Sequence, residues 1–274
     1  MTEAGRIRLD LAGVSETMLW PFWFRAWFAS QPQPFLADPL AVQLAERIDY
    51  DFMGRFGRPH VAHAIRARYC DDLVRDFLRM YVDGVVVALG EGLETQFWRV
   101  DNGRIDWYSV DLPEAITARR SVLPQHGRNT LIPASALDPA WCAQIPKDRP
   151  FFISAAGLFM YFERRQVVDL LSGIGQAFPR AELFFDTIPY WFSRRTMKGL
   201  YVTKSYRAPS MPFGIGIHEL KDFAQEVGGL KIVSALGYAD PYPEQMPFLN
   251  TLSRWRWLRN RIAPALVHAR LDSD

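Results

Sequence analysis

From residue 84 onward the chain alternates between two hydrophobic rhythms. Val85 to Leu89 is an unbroken apolar run rich in β-branched residues, closed by Gly90. A run of this kind predicts a strand covered on both faces, as in the centre of a parallel sheet. IDWYSVD (Ile105 to Asp111) predicts a second strand, and Pro113 suits the first turn of a helix over PEAITARRSVL. NTLIPAS, Pro150 to Gly157 and AELFFDT predict the third, fourth and fifth strands. Between the last two lies RRQVVDLLSGIGQAF, a helix with Val167, Leu170, Leu171 and Ile174 on one face. Strands and helices in strict alternation predict an α/β fold, a doubly wound sheet with helices on both faces.

Residues 1–83 carry the helical rhythm. In Ala62 to Met80 the apolar residues Ile65, Tyr69, Leu73, Phe77 and Met80 recur at helical spacing, which predicts one buried face. The expected organisation is a helical cap over 1–83 and a core over 84–274, folded together as one compact domain. Toward the C-terminus, GGLKIVSALGYA offers a strand of a closing hairpin. SRWRWLRNRIAPALVHARL reads as an amphipathic, basic terminal segment with a solvated face, rather than a membrane or partner contact.

Composition narrows the picture. A chain of 274 residues with 49% hydrophobic and 23% charged residues can bury a sizeable core. A net charge of +2 gives no electrostatic footprint for nucleic acid. Cys70 and Cys142 lack metal-ligand spacing and read as reduced thiols of an intracellular protein. The N-terminus has no apolar signal-peptide core, and the stretch Met18 to Phe28 is too short for a membrane span and is interrupted by Pro21 and Arg25. The expectation is a cytoplasmic protein. Aromatic residues make up 14%, more than a core alone calls for, and suit a pocket for a flat organic molecule.

The chemistry is expected where the strands end. The first strand runs into Leu89-Gly90-Glu91-Gly92-Leu93-Glu94-Thr95, and the second ends in Asp111. The glycines let the backbone approach a ligand, and a carboxylate at Asp111 can accept from ribose hydroxyls. Both suit an adenosine-containing cofactor. A dinucleotide fingerprint would want a third glycine where Thr95 stands, and Glu91 and Glu94 would repel a pyrophosphate. A sulfonium cofactor has no phosphate and tolerates those acids, so a nicotinamide-dependent oxidoreductase is the weaker alternative.

These residues carry a resemblance. VVALGEGLETQFWRVDNGRIDWYSVDLPE is similar to the VV-x-LG-x-GL-D-T and W-x-x-VDLPE blocks of the leucine carboxyl methyltransferase and tetracenomycin-type O-methyltransferase family. SETMLWPFWFRA, LADPLAVQLAERIDYDF, FISAAGLFMYF and AFPRAELFFDT resemble further blocks in the same order, together covering most of residues 15–190. The resemblance implies the class I methyltransferase fold: a Rossmann-like, seven-stranded, mostly parallel sheet with an N-terminal helical cap. It implies S-adenosyl-L-methionine (SAM) as cofactor. Gly90, Glu91 and Gly92 would line its methionine part, Asp111 its ribose, and Leu112 its adenine. Arg66, with Arg68 as competitor, would meet its carboxylate. Ser135 would stand at the adenine amino group, with Ala136 on the ring. Three positions depart from the family pattern: Glu94 and Ser135 each stand for an aspartate, and Ala156 stands for a glutamate near the cofactor.

The implied activity is O-methyl transfer to a small molecule, a carboxylic acid or phenol of aromatic polyketide type. A phenol would benefit from a general base. His218, Tyr161 and Tyr190 are the candidates, though each reads first as a structural or surface residue. His60 and His63 form H-x-x-H on an expected shared helix face, but no third ligand is evident, so no metal is expected. The run Trp20, Phe22, Trp23, Phe24, Trp27, Phe28 reads as core or as a cover over substrate. With Ala156 and Ser135 in view, a non-catalytic binding protein of the same fold is the alternative. Monomer and homodimer stay open.

Overall fold

The computed structural model describes residues 6–9, 11, 13–253 and 255–272. Seven strands form one sheet: β1 (Val85–Leu89), β2 (Asp106–Asp111), β3 (Asn129–Pro133), β4 (Phe151–Ala155), β5 (Glu182–Thr187), β6 (Leu230–Gly237) and β7 (Ala265–Leu271), in the order β3-β2-β1-β4-β5-β7-β6. The first five run parallel, and β7 runs antiparallel to both β5 and β6.

Among the described residues, twelve α-helices accompany it. Five precede the sheet: α1 (Gly13–Glu16), α2 (Leu19–Ala29), α3 (Pro39–Arg47), α4 (Phe52–Phe56) and α5 (Ala62–Met80). The others are α6 (Gln96–Val100), α7 (Pro113–Val122), α8 (Arg164–Ala177), α9 (Tyr190–Met197), α10 (Leu220–Val227), α11 (Pro247–Ser253) and α12 (Arg256–Ile262).

Every residue of β1 is buried, because the pleat sends alternate side chains into two cores. Val85, Val87 and Leu89 pack with Val167, Leu171 and Ile174 of α8 and Phe223 of α10. Val86 and Ala88 face the other way, onto Cys70, Val74 and Phe77 of α5. A third cluster joins Leu19, Phe22 and Phe24 of α2 to Phe52 and Phe56 of α4 and to Ala115 and Ala118 of α7. Much of the N-terminal aromatic run is therefore core, holding the first helices to α7 and to Leu93 in the loop after β1.

Two expectations change. On α5 the buried face runs through Ile65, Cys70, Val74, Phe77 and Leu78, while Met80, the last residue of the helix, is 69% exposed. The basic terminal segment is not solvated along its whole length. Its first part is α12, but Ala265–Leu271 is β7, whose Ala265, Leu266, Val267, Ala269 and Leu271 are fully buried. The short Ala-Pro break at Ala263 and Pro264 ends the helix, since proline disfavours helical backbone in the residue before it.

Candidate active site

The C-terminal ends of β1, β2, β4 and β5 open into a cavity of about 480 Å³. Arg66, Gly90, Glu91, Gly92, Asp111, Leu112, Ser135, Ala136 and Ala156 all line it, as does Tyr161. Residues singled out from five separate stretches of sequence are thus brought to one place.

The turn after β1 is built for close backbone approach. Gly90 has φ +59°, and a Cβ there would stand 2.6 Å from the Leu158 side chain. The turn is also anchored from both sides. On the sheet side, the Gly92 amide donates to Asp111 Oδ2 at 2.7 Å, and the Leu112 amide donates to Oδ1 at 2.8 Å. Burial raises the Asp111 pKa from its ordinary value despite these bonds. From behind, Arg119 donates to the carbonyls of Gly92 (2.6 Å) and Glu94 (3.0 Å), and Arg25 donates to that of Leu93 (2.9 Å).

Neither glutamate of this loop presents a free charge, contrary to the expectation from sequence. Glu91 Oε2 lies 3.0 Å from Arg119, and burial raises its pKa. Glu94 pairs with Arg25 at 3.1 Å and with Arg99 at 2.7 Å. Burial alone would raise Glu94, yet the two arginines hold it down at about 2. Arg99 also reaches Asp38 and Asp71, each at 2.7 Å, which ties the loop to the start of α3 and the middle of α5. A buried cation with three carboxylate partners is well compensated, where a single pair would not be.

Arg66 points from α5 into the cavity, 3.0 Å from Asp186 at the end of β5. Arg68 lies on the neighbouring face, 3.2 Å from Asp72, and does not line the cavity. Gly157 has φ +73°, and a Cβ there would stand 2.5 Å from the Arg66 guanidinium, so only glycine leaves that group its place. The arrangement has the parts an adenosine with an amino-acid tail calls for: a close backbone turn after β1, a carboxylate at the end of β2, and an ion pair at the end of β5.

The rest of the cavity is apolar, lined by Trp20, Met160, Phe162, Ile188, Phe192 and Met211. Into this part projects His63, edge-on to Phe24 with ring centroids 5.2 Å apart. Burial and the nearby Arg66 and Arg25 push its pKa well below the ordinary imidazole value, so it is neutral. His60 precedes α5 and is exposed, so the two histidines share no helix face. Among the described residues no group of three metal-ligand side chains occurs.

Of the three candidate bases, Tyr161 alone reaches the cavity, its pKa raised by burial. Tyr190 is 61% exposed at the start of α9, and His218 is exposed with Nδ1 3.0 Å from the Asn260 carbonyl. Neither lines the cavity. Sequence reasoning missed Arg25, Arg99, Arg119 and Asp186. For Asp186 a signal existed: a carboxylate closing an apolar strand, as at Asp111.

Comparison with known proteins places this geometry. A sequence profile described as leucine carboxyl methyltransferase matches residues 19–175. The tetracenomycin polyketide synthesis O-methyltransferase TcmP of Streptomyces glaucescens is 30% identical over 267 residues, 95% of this chain and 96% of that protein. The S-adenosyl-L-methionine-dependent methyltransferase dpfgK of Gibberella zeae is 30% identical over 190 residues, 62% of this chain and 63% of that protein. A solved methyltransferase structure from Thermobifida fusca superposes with a TM-score of 0.58 at 16% identity, over 92% of this chain and 94% of that one. The plantazolicin methyltransferase BamL, solved with a triazolic desmethylPZN analogue and S-adenosylhomocysteine, superposes with a TM-score of 0.51 at 10% identity, over 95% of this chain and 98% of that one. The two structures share the class I methyltransferase fold with this chain.

Proposed function

This chain belongs to the leucine carboxyl methyltransferase family of SAM-dependent O-methyltransferases, and from that premise we propose that it methylates an oxygen of a small aromatic acid or phenol. The observation that carries the acceptor class is the continuity of one cavity, polar at the glycine turn and walled by Trp20, Met160, Ile188, Phe192 and Met211 beyond it. A flat aromatic ring fills such a wall. The resemblance to a polyketide O-methyltransferase supports the same class.

In this reading Gly90, Glu91 and Gly92 border the methionine part of the cofactor, Asp111 takes the ribose hydroxyls, and Arg66 takes the carboxylate. Leu112, Ser135 and Ala136 flank the adenine, and Ala156 borders the tail. Bound there, SAM supplies an electrophilic methyl group on a sulfonium. The chain's own work is to align the acceptor oxygen and keep water out, which is where in-line displacement gains most from an enzyme. Residues 1–83 act as the helical cap, and 84–274 as the core. Trp20, from the cap, closes the acceptor end. A carboxylate acceptor arrives ionised and needs no base. For a phenol, Tyr161 and His63 line the cavity and can hydrogen-bond the acceptor hydroxyl, but burial and the arginines beside His63 disfavour a protonated imidazole there.

Calorimetric titration with S-adenosylhomocysteine, with NADH in parallel, tests the cofactor. Micromolar binding that Asp111→Ala abolishes supports the reading. A folded protein that ignores millimolar ligand would sink it. Homocysteine-compound release with paired naphthols and naphthoic acids then sorts hydroxyl from carboxyl acceptors.

A further inference from the structure

Four carboxylates line the cavity: Glu91, Glu94, Asp111 and Asp186. Three are committed to groups that fix the loop. Glu91 pairs with Arg119, Glu94 pairs with Arg25 and Arg99, and Asp111 accepts the amides of Gly92 and Leu112. Arg25 also lines the cavity, but Glu94 holds two arginines at once and Arg25 is tied to the Leu93 carbonyl as well, whereas Asp186 meets a single cation, Arg66, which faces the cavity. Asp186 Oδ2 accepts from Arg66 Nη1 at 3.0 Å and from the Tyr238 hydroxyl at 2.8 Å, while Oδ1 accepts from the Gly157 amide. An ionised carboxylate has about four acceptor sites, so capacity remains for one more donor. Ala156, beside Gly157, brings no charge of its own.

A cation and an anion 3.0 Å apart on one cavity wall form the mirror of a zwitterion. Each can exchange its partner for the opposite charge of an α-amino acid, with no net charge left buried. We propose that Asp186 is the residue that binds the ammonium of the cofactor's methionine part, pairing with Arg66 on the carboxylate as a clamp for the zwitterionic head. Asp186, on β5, thereby fills the role left empty by Ala156 after β4. Tyr238, from the end of β6, orients the Asp186 carboxylate and acts as a positioning residue. The inference rests on the SAM reading above.

The test is calorimetric titration of wild type, Asp186→Asn and Tyr238→Phe with two ligands. S-adenosylhomocysteine carries the zwitterionic head, and 5′-methylthioadenosine lacks it. Asp186→Asn should weaken the first at least about tenfold, as befits a charge-assisted bond, and the second less than about twofold. Tyr238→Phe should cost about threefold on the first ligand only, and decides the matter if Asp186→Asn does not fold. Parallel losses on both ligands would make Asp186 a structural residue and overturn the proposal, as would an unchanged affinity for S-adenosylhomocysteine. Wild type that binds neither ligand would instead overturn the methyltransferase reading itself.

Discussion

The Arg25 guanidinium stands 3.1 Å from the Glu94 carboxylate and donates to the Leu93 carbonyl next to it, so a helix preceding the sheet holds the loop after β1 by its side chain and its backbone together. Removing the charge of Glu94 leaves Arg25 buried without its main partner. Glu94→Gln should therefore cost about 3–5 kcal/mol in a urea titration at pH 7. Glu94 is held at about 2, below its ordinary value of 4.5. A carboxylate depressed on folding stabilises above its unfolded pKa and loses that contribution as pH falls through the folded one. The gap between wild type and Glu94→Gln should be constant above about pH 5 and close toward pH 2.

Gly90 is tested by its own conformation. Gly90→Ala places a Cβ at positive φ, 2.6 Å from Leu158. The expected cost is about 1–3 kcal/mol in stability, with weakened S-adenosylhomocysteine binding. Adding Leu158→Ala should recover the steric part and leave the backbone part, so the double-mutant cycle should show a coupling beyond simple addition.

His63 makes a pH-dependent contribution of the opposite sense to that of a paired histidine. Burial, with Arg66 and Arg25 beside it, lowers its pKa well below 6.5. The unfolded chain takes up a proton below that value and the folded chain does not, so His63 erodes stability as pH falls below 6.5. Replacing it with phenylalanine should flatten the loss of stability between pH 7 and pH 5. An unchanged slope would mean that His63 takes up its proton as readily in the folded protein as in the unfolded chain.

Cys70 and Cys142 are free and buried, and burial raises both thiol pKa values. Reactivity requires the thiolate. Native protein should resist Ellman's reagent over hours at pH 8, and both thiols should titrate rapidly in guanidinium chloride. A fast native phase would place one of them at an open site.

The alternation of apolar runs was enough to read the parallel half of the sheet, because each strand is short, covered on both faces and followed by a turn or cap signal. The cavity residues were legible for a related reason: in such sheets the strand ends converge, so Asp111 and Gly90 must be neighbours. What escaped is pairing over long separations. Arg99 meets Asp38 and Asp71, 61 and 28 positions away, and no periodicity marks those contacts. Tyr190 failed to reach the cavity because following a strand end in sequence does not fix the direction of a side chain, and His218 because it stands exposed against the Asn260 carbonyl. In Ala265–Leu271, His268 and Arg270 break the apolar run and, behind WRWLRNR, disguised a buried strand as a basic tail.

The position of β7 has a temporal consequence. It is the last strand in the sequence, yet it fills the slot between β5 and β6. While the chain is still emerging from a ribosome, β5 has no neighbour on that side, and its Leu183, Phe184 and Phe185 border an open edge. Asp186 and Tyr238, which meet across that slot, have no fixed separation until residue 271 has been made. The site is therefore completed only after almost the whole sequence described here is available, and a nascent chain stalled before residue 265 would present an adhesive strand in place of a binding pocket.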